Sequence, residues 1–166
     1  MLQLADDSTG PGSRLDQPDH PNQAGRLLGR RSERSRLEQM SGPETRFIGR
    51  VGPEELRRLY SSALCYLQTG IEDFGIATVE ALACGTPVLA LGEGGVLDIV
   101  ESGREGVLVD DSGVEALADG IDKIQQMPFN RMDLRSRAED FSAERFKIRL
   151  KGYLSPFWPE SEGEPS

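Results

Sequence analysis

Apolar positions concentrate between residues 45 and 126 of the chain, where they fall into two alternating rhythms, while both ends are polar. "TRFIG" (45–49) is β-rich. Gly52-Pro53 then opens a helix with proline at its favoured first position, and Leu56, Leu59, Tyr60 and Ala63 give that helix an apolar stripe. "ALCYL" (63–67) reads as a short strand, "GIATVEALAC" (75–84) as a helix apolar on every side, and "PVLAL" (87–91) as another strand. A short helix follows Gly94-Gly95, then the strand "GVLV" (106–109). Ser112-x-x-Glu115 has the form of a capping box for a helix reaching about Gln126. Two amphipathic helices, 131–141 and 143–153, complete the pattern, the second capped by Ser142. Short apolar strands alternating with helices predict an α/β fold, a parallel sheet covered by helices on both faces. Such sheets bind ligands beyond the carboxyl ends of their strands, so the informative loops are 49–53, 68–75 and 92–95.

The ends of the chain follow other rules. Residues 1–25 mix Gly, Pro, Asp and Ser without period and predict a disordered leader. Residues 154–166 form an acidic tail whose start Phe157 and Trp158 are expected to anchor. The organised domain is therefore expected over 26–153. With 166 residues the chain has material for about one domain. Its formal net charge of −9 argues against a nucleic-acid partner, because phosphate neutralisation needs clustered Lys and Arg. No span of about 20 apolar residues and no signal peptide is legible, which predicts a cytoplasmic protein without a transmembrane segment. Cys65 and Cys84 lack CxxC spacing and read as reduced core thiols. The single histidine, His20, lies in the leader, and neither a metal-type cluster nor an Asp-x-Asp stands out.

Two carboxylates interrupt the apolar centre. Glu80 sits inside the 75–84 helix, so the pattern predicts that it is buried, and an unpartnered buried carboxylate costs several kcal/mol. Backbone amides, an arginine or the two hydroxyls of a bound ribose would each satisfy it. Glu72 stands before the helix, where it either complements the helix dipole with Asp73 or accepts hydrogen bonds from a sugar. Gly75 and Ile76 offer free amides at the helix start, an anion site suited to a diphosphate, and "GEGG" (92–95) permits equally close approach. A dinucleotide fingerprint fits less well. "VLALGEGGVLDIV" begins like one, but Leu97 occupies the third glycine's place and the helix after it is too short.

Together these residues carry a resemblance. "EDFGIATVEALACGTPVLALGEGGVLDIV" (72–100) resembles the donor-binding half of GT-B retaining glycosyltransferases of family four, the "glycosyl transferases group one" type. Glu72 and Glu80 match that family's E-x7-E signature, "EALACGTPV" its helix-to-strand join, and Gly94-Gly95 its following loop. The likeness runs back to "RFIGRVGPEELRRLYSSA" and forward to "FSAERFKIRLKGYL", roughly residues 43–153.

The resemblance implies the C-terminal, Rossmann-like half of a GT-B fold, incomplete at its N-terminus. It implies transfer of a hexose from a nucleotide diphosphate sugar, UDP- or GDP-linked, to an acceptor, with retained configuration and without metal or cofactor. Glu72 would contact the donor hexose and help stabilise charge on its transferred carbon. Phe74, Gly75 and Ile76, with Gly94 and Gly95, would contact sugar and diphosphate, Glu80 would hold the ribose, and Arg50 and Val51 would flank the nucleobase. An acceptor-binding domain and the Arg/Lys clamp of the family's first strand and helix are not matched. "GRLLGRRSERSRLEQMSG" (25–42) looks like the second strand and helix, with "GRRS" where Gly-x-Gly-Pro is usual. The isolated chain is accordingly expected to be inactive. The alternative is a non-catalytic nucleotide-sugar-binding or assembly module that pairs with a separate acceptor-domain chain or, through an exposed sheet edge, with itself.

Overall fold

A computed structural model describes residues 3–4 and 31–157. Four strands, β1 (Gln3–Leu4), β2 (Tyr66–Gln68), β3 (Val88–Leu91) and β4 (Gly106–Val109), form one sheet in that order. All three pairings are parallel, with Tyr66 beside Val88 and Val88 beside Gly106. The helices are α1 (Arg31–Met40), α2 (Pro53–Ser62), α3 (Ile76–Ala83), α4 (Val96–Ile99), α5 (Val114–Gln126), α6 (Arg131–Glu139) and α7 (Ala143–Leu154).

Side chains alternate across the strands and divide the core in two. Tyr66, Val88 and Ala90 face α2, α3, α4 and α6, through Tyr60, Ala81, Leu82, Val96, Ile99, Leu134 and Ala138. Leu67, Leu89, Val107 and Val109 face the opposite way and meet Ile124 of α5. The doubly covered parallel sheet is therefore as the pattern predicts. Among the described residues no helix is long and apolar enough to cross a membrane.

Several local expectations change. The leader contributes to the sheet: Gln3–Leu4 pairs with Tyr66 and Leu67, so the outer edge of β2 is occupied there rather than open. Pairing satisfies backbone groups that an unpartnered strand leaves exposed. The rest of the predicted leader, the strand expected near 25–30, His20 and Trp158 lie outside the described residues. Residues 45–49 form no strand. Thr45, Arg46 and Ile48 are exposed, and β propensity has no effect without a neighbouring ladder. The Ser112–Glu115 capping box does not form either: α5 begins at Val114 with Gly113 as its cap, and Asp111 Oδ1 accepts from the Gly113 amide at 3.1 Å. Ser142 does cap α7, accepting from the Arg145 amide at 3.3 Å. Phe157 is 76% exposed and leans on Tyr153, so it anchors nothing. The two cysteines are free thiols; burial pushes that of Cys65 above its ordinary pKa.

Candidate functional site

The loops after β2 and β3 meet at the carboxyl end of the sheet. Gln68, the last residue of β2, is buried, and its side-chain carbonyl accepts from the Thr78 hydroxyl of α3 at 2.7 Å. That bond ties the strand end to the helix across the loop 69–75. Neither residue stands out in the sequence beyond the glutamine that closes an apolar strand. The second loop crosses the first: Glu72 and Gly94 form an isolated parallel bridge, and the Gly95 amide donates to the Glu72 carbonyl at 2.7 Å. A side chain at Gly95 would overlap the Asp73 carbonyl, and one at Gly94 would lie 2.8 Å from Ile71 Cγ2. Glycine is needed here for close approach.

Gly75 caps α3 in the left-handed region, at φ 62°, and its Cβ position is filled by the Ile99 side chain of α4. Its carbonyl accepts from Val79 at 3.0 Å, while the amides of Gly75, Ile76 and Ala77 have no backbone acceptor among the described residues. This is the pattern of free donors that suits an anion. Around them the rim is apolar and open: Phe74 is 81% exposed and Ile76 68%.

The carboxylates take up different positions. Glu72 is half-buried, and its side chain accepts no hydrogen bond among the described residues. Glu80 is exposed, which corrects the expectation of burial. The reason lies in the helix. Thr78, Ala81 and Leu82 of α3 are buried and Ala77 and Val79 half-buried against the core, which leaves Ile76, Glu80 and Ala83 on the exposed side of the helix. Desolvation therefore gives no argument for a ribose at Glu80. The carboxylate has no hydrogen-bond partner among the described residues, and it stands near enough to Tyr60 to act on it. Burial first, then the charge of Glu80, then Cys84, push the Tyr60 phenol well above its ordinary 10.0.

Glu72 is thus joined to Gly94 and Gly95 by direct backbone contact, Phe74, Gly75 and Ile76 follow it in the chain into α3, and Glu80 lies further along that helix. Arg50 and Val51 precede α2, Arg50 exposed and Val51 half-buried, and no described hydrogen bond or ion pair joins them to those residues. Among the described residues no group of three or more His, Cys, Asp or Glu side chains could hold a metal ion. The short α4 leaves no room for a dinucleotide crossover.

Comparison with known proteins matches residues 13–141 to the family described as glycosyl transferases group 1. The chain is 39% identical over 85 residues to a D-inositol 3-phosphate glycosyltransferase of a Nocardioides species, covering 51% of this chain and 19% of that protein. The Paenarthrobacter aurescens protein of that name is 32% identical over 108 residues, which is 62% of this chain and 26% of that one. Among solved structures, sucrose-phosphate synthase from Thermosynechococcus elongatus superposes with TM-score 0.63 at 27% identity, covering 78% of this chain and 35% of the synthase. Anabaena HepE, solved in complex with UDP-glucose, shares the fold at TM-score 0.58 and 24% identity, with 79% and 38% of the two chains covered. The chain spans roughly a fifth to a quarter of the length of these two curated relatives.

Proposed function

Because the chain belongs to the glycosyl transferases group 1 family, we propose that it carries the donor-binding half of a retaining hexosyltransferase. The observation that supports this best is the crossing of the two strand-end loops. It bonds the backbone of Glu72 to Gly94 and Gly95, three residues before the free amides of Gly75, Ile76 and Ala77 begin at the start of α3. In this reading the amides and the close-packed glycines 94 and 95 take the diphosphate. Glu72 and the main chain of Phe74 contact the hexose, and Glu72 stabilises positive charge developing on the transferred carbon. Glu80 accepts from the ribose hydroxyls, and Arg50 and Val51 border the base. The donor is a UDP- or GDP-linked sugar used in the cytoplasm, and the reaction draws on no metal or cofactor. Helix amides supply about 1–2 kcal/mol toward an anion, so binding by this chain is weak and transfer requires an acceptor-binding domain.

Calorimetric titration of the full chain with UDP, GDP and ADP tests the reading. One of them binds, in the range of about 0.1–1 mM. Glu80→Gln weakens that nucleotide roughly tenfold, the scale of a lost charge-assisted hydrogen bond, and leaves its 2′,3′-dideoxy form unaffected. Absence of binding by all three nucleotides overturns the donor-site assignment, and an unchanged affinity in the variant removes Glu80 from it.

A second reading, a non-catalytic module that associates with another polypeptide or with itself, is favoured by α7. That helix buries none of its residues, and Phe146, Leu150, Tyr153 and Leu154 expose an apolar stripe along it.

A further inference from the structure

Helix α4 is only four residues long, one turn, and a turn of that length does not hold itself in water. Yet it forms the wall against which the crevice is set, since Ile99 is 2% exposed and fills the space beside Gly75 where a side chain would stand. Burial of Val96 and Ile99 fixes its inner face, and its carboxyl end is held from α6. Arg137 of α6 donates from Nε to the Ile99 carbonyl at 2.9 Å and from Nη2 to the Asp98 carbonyl at 2.7 Å. Its remaining nitrogen reaches Asp140 at 3.3 Å, and its guanidinium lies 5.1 Å from the centre of the Phe141 ring. The cation thus satisfies the carbonyls at the carboxyl end of α4, where a positive charge is also favoured electrostatically.

We infer that Arg137 is a positioning residue for the donor crevice: it fixes α4, and through Ile99 it fixes the left-handed turn at Gly75 that presents the free amides. The inference rests on the donor-site reading above. The same helix supplies an internal contrast. Arg131 donates to the carbonyls of Ser61 and Cys84 at 2.8 and 3.2 Å, gripping the far ends of α2 and α3. Cys84 lies about 12 Å along the helix from its start. Both arginines tie helix ends to α6; only Arg137 acts on a residue that touches the crevice turn.

The test is a pair of variants of the full chain, Arg137→Met and Arg131→Met, titrated with the nucleoside diphosphate that the wild type binds and with the corresponding nucleoside. Arg137→Met loses about tenfold in affinity for the diphosphate, equivalent to one hydrogen-bonded contact, and its affinity for the nucleoside stays within about twofold. Arg131→Met lowers the melting temperature and leaves both affinities in place. An equal loss for diphosphate and nucleoside in Arg137→Met, or the same diphosphate-selective loss in Arg131→Met, overturns the inference. Arg137→Lys guards against misfolding: it keeps the charge, but a lysine cannot fork to two carbonyls, so the same selective loss is expected. Should the wild type bind no nucleotide, the donor-site reading fails, and amide exchange still tests the positioning role. The Gly95 and Val79 amides, bonded to Glu72 and Gly75, then exchange faster in Arg137→Met but not in Arg131→Met, and unaltered exchange there refutes it.

Discussion

The two ends of the sheet's strands both carry polar groups, but they differ in how many of those groups are paired. At the amino ends lies a groove of about 640 Å³ lined by Glu101, Arg104, Glu105, Asp133, Arg137 and their neighbours. Most of its charges are already satisfied. Glu105 accepts from the Glu101 amide at 2.8 Å, Arg104 pairs with Glu101, and Arg137 is bonded to the end of α4. At the carboxyl ends, by contrast, the amides of Gly75, Ile76 and Ala77 and the carboxylates of Glu72 and Glu80 have no hydrogen-bond partner among the described residues. The two ends thus differ in unsatisfied polarity, and groups without partners gain most when a ligand arrives.

The largest expected effect comes from forcing the two crevice loops apart. Gly95→Ala places a methyl group against the Asp73 carbonyl. Denaturant unfolding should show a loss of about 1–3 kcal/mol, the usual range for an added methyl in a packed site, together with loss of nucleotide binding. Retained stability would mean that the loops do not touch. A smaller effect concerns Tyr60. Its phenol stays neutral in the fold above 10.0, where the unfolded chain begins to ionise. Its contribution is thus whole below that pH and is lost as pH rises beyond it. Unfolding measured across the alkaline range should fall less steeply in Tyr60→Phe. In Glu80→Gln the tyrosine's ultraviolet titration should move only part of the way back toward 10.0, because burial is the larger cause. No movement at all would separate Glu80 from Tyr60. The smallest effect is expected in the amino-end groove: Asp133→Asn, a change at an exposed side chain, should alter stability by no more than about 0.5 kcal/mol and leave nucleotide titration unchanged. A binding loss there to match the crevice variants would erase the contrast between the two ends.

Much of the frame is legible in short stretches. Gly52-Pro53 opens α2 as read, GVLV at 106–109 is β4 residue for residue, and Ser142 caps α7, since each depends on neighbours within a few positions. "ALCYL" places the strand at 63–67, three residues before its observed start at Tyr66. The strand falls at Tyr66–Gln68 because pairing with Val88–Ala90, not local propensity, chose the register. The burial of Glu80 was misread for a related reason: apolar residues all round a helix show what could be covered, not what is. Gln3–Leu4 is invisible as a strand in a two-residue window, and Arg137 looks like any surface arginine of a polar helix until α4 is laid beside it.

By itself the sequence determined the alternation of strands and helices, the parallel sheet they build and the family to which the chain belongs. These follow from spacing, from turn residues and from a motif spread over about thirty positions. Only the tertiary structure decided that Glu72 bridges to Gly94, that Thr78 holds Gln68, that Glu80 faces solvent and that α6 anchors α4. The difference is one of range. Backbone preference acts between neighbours in the chain, whereas exposure and hydrogen-bond partners depend on which distant segments the folded sheet brings together.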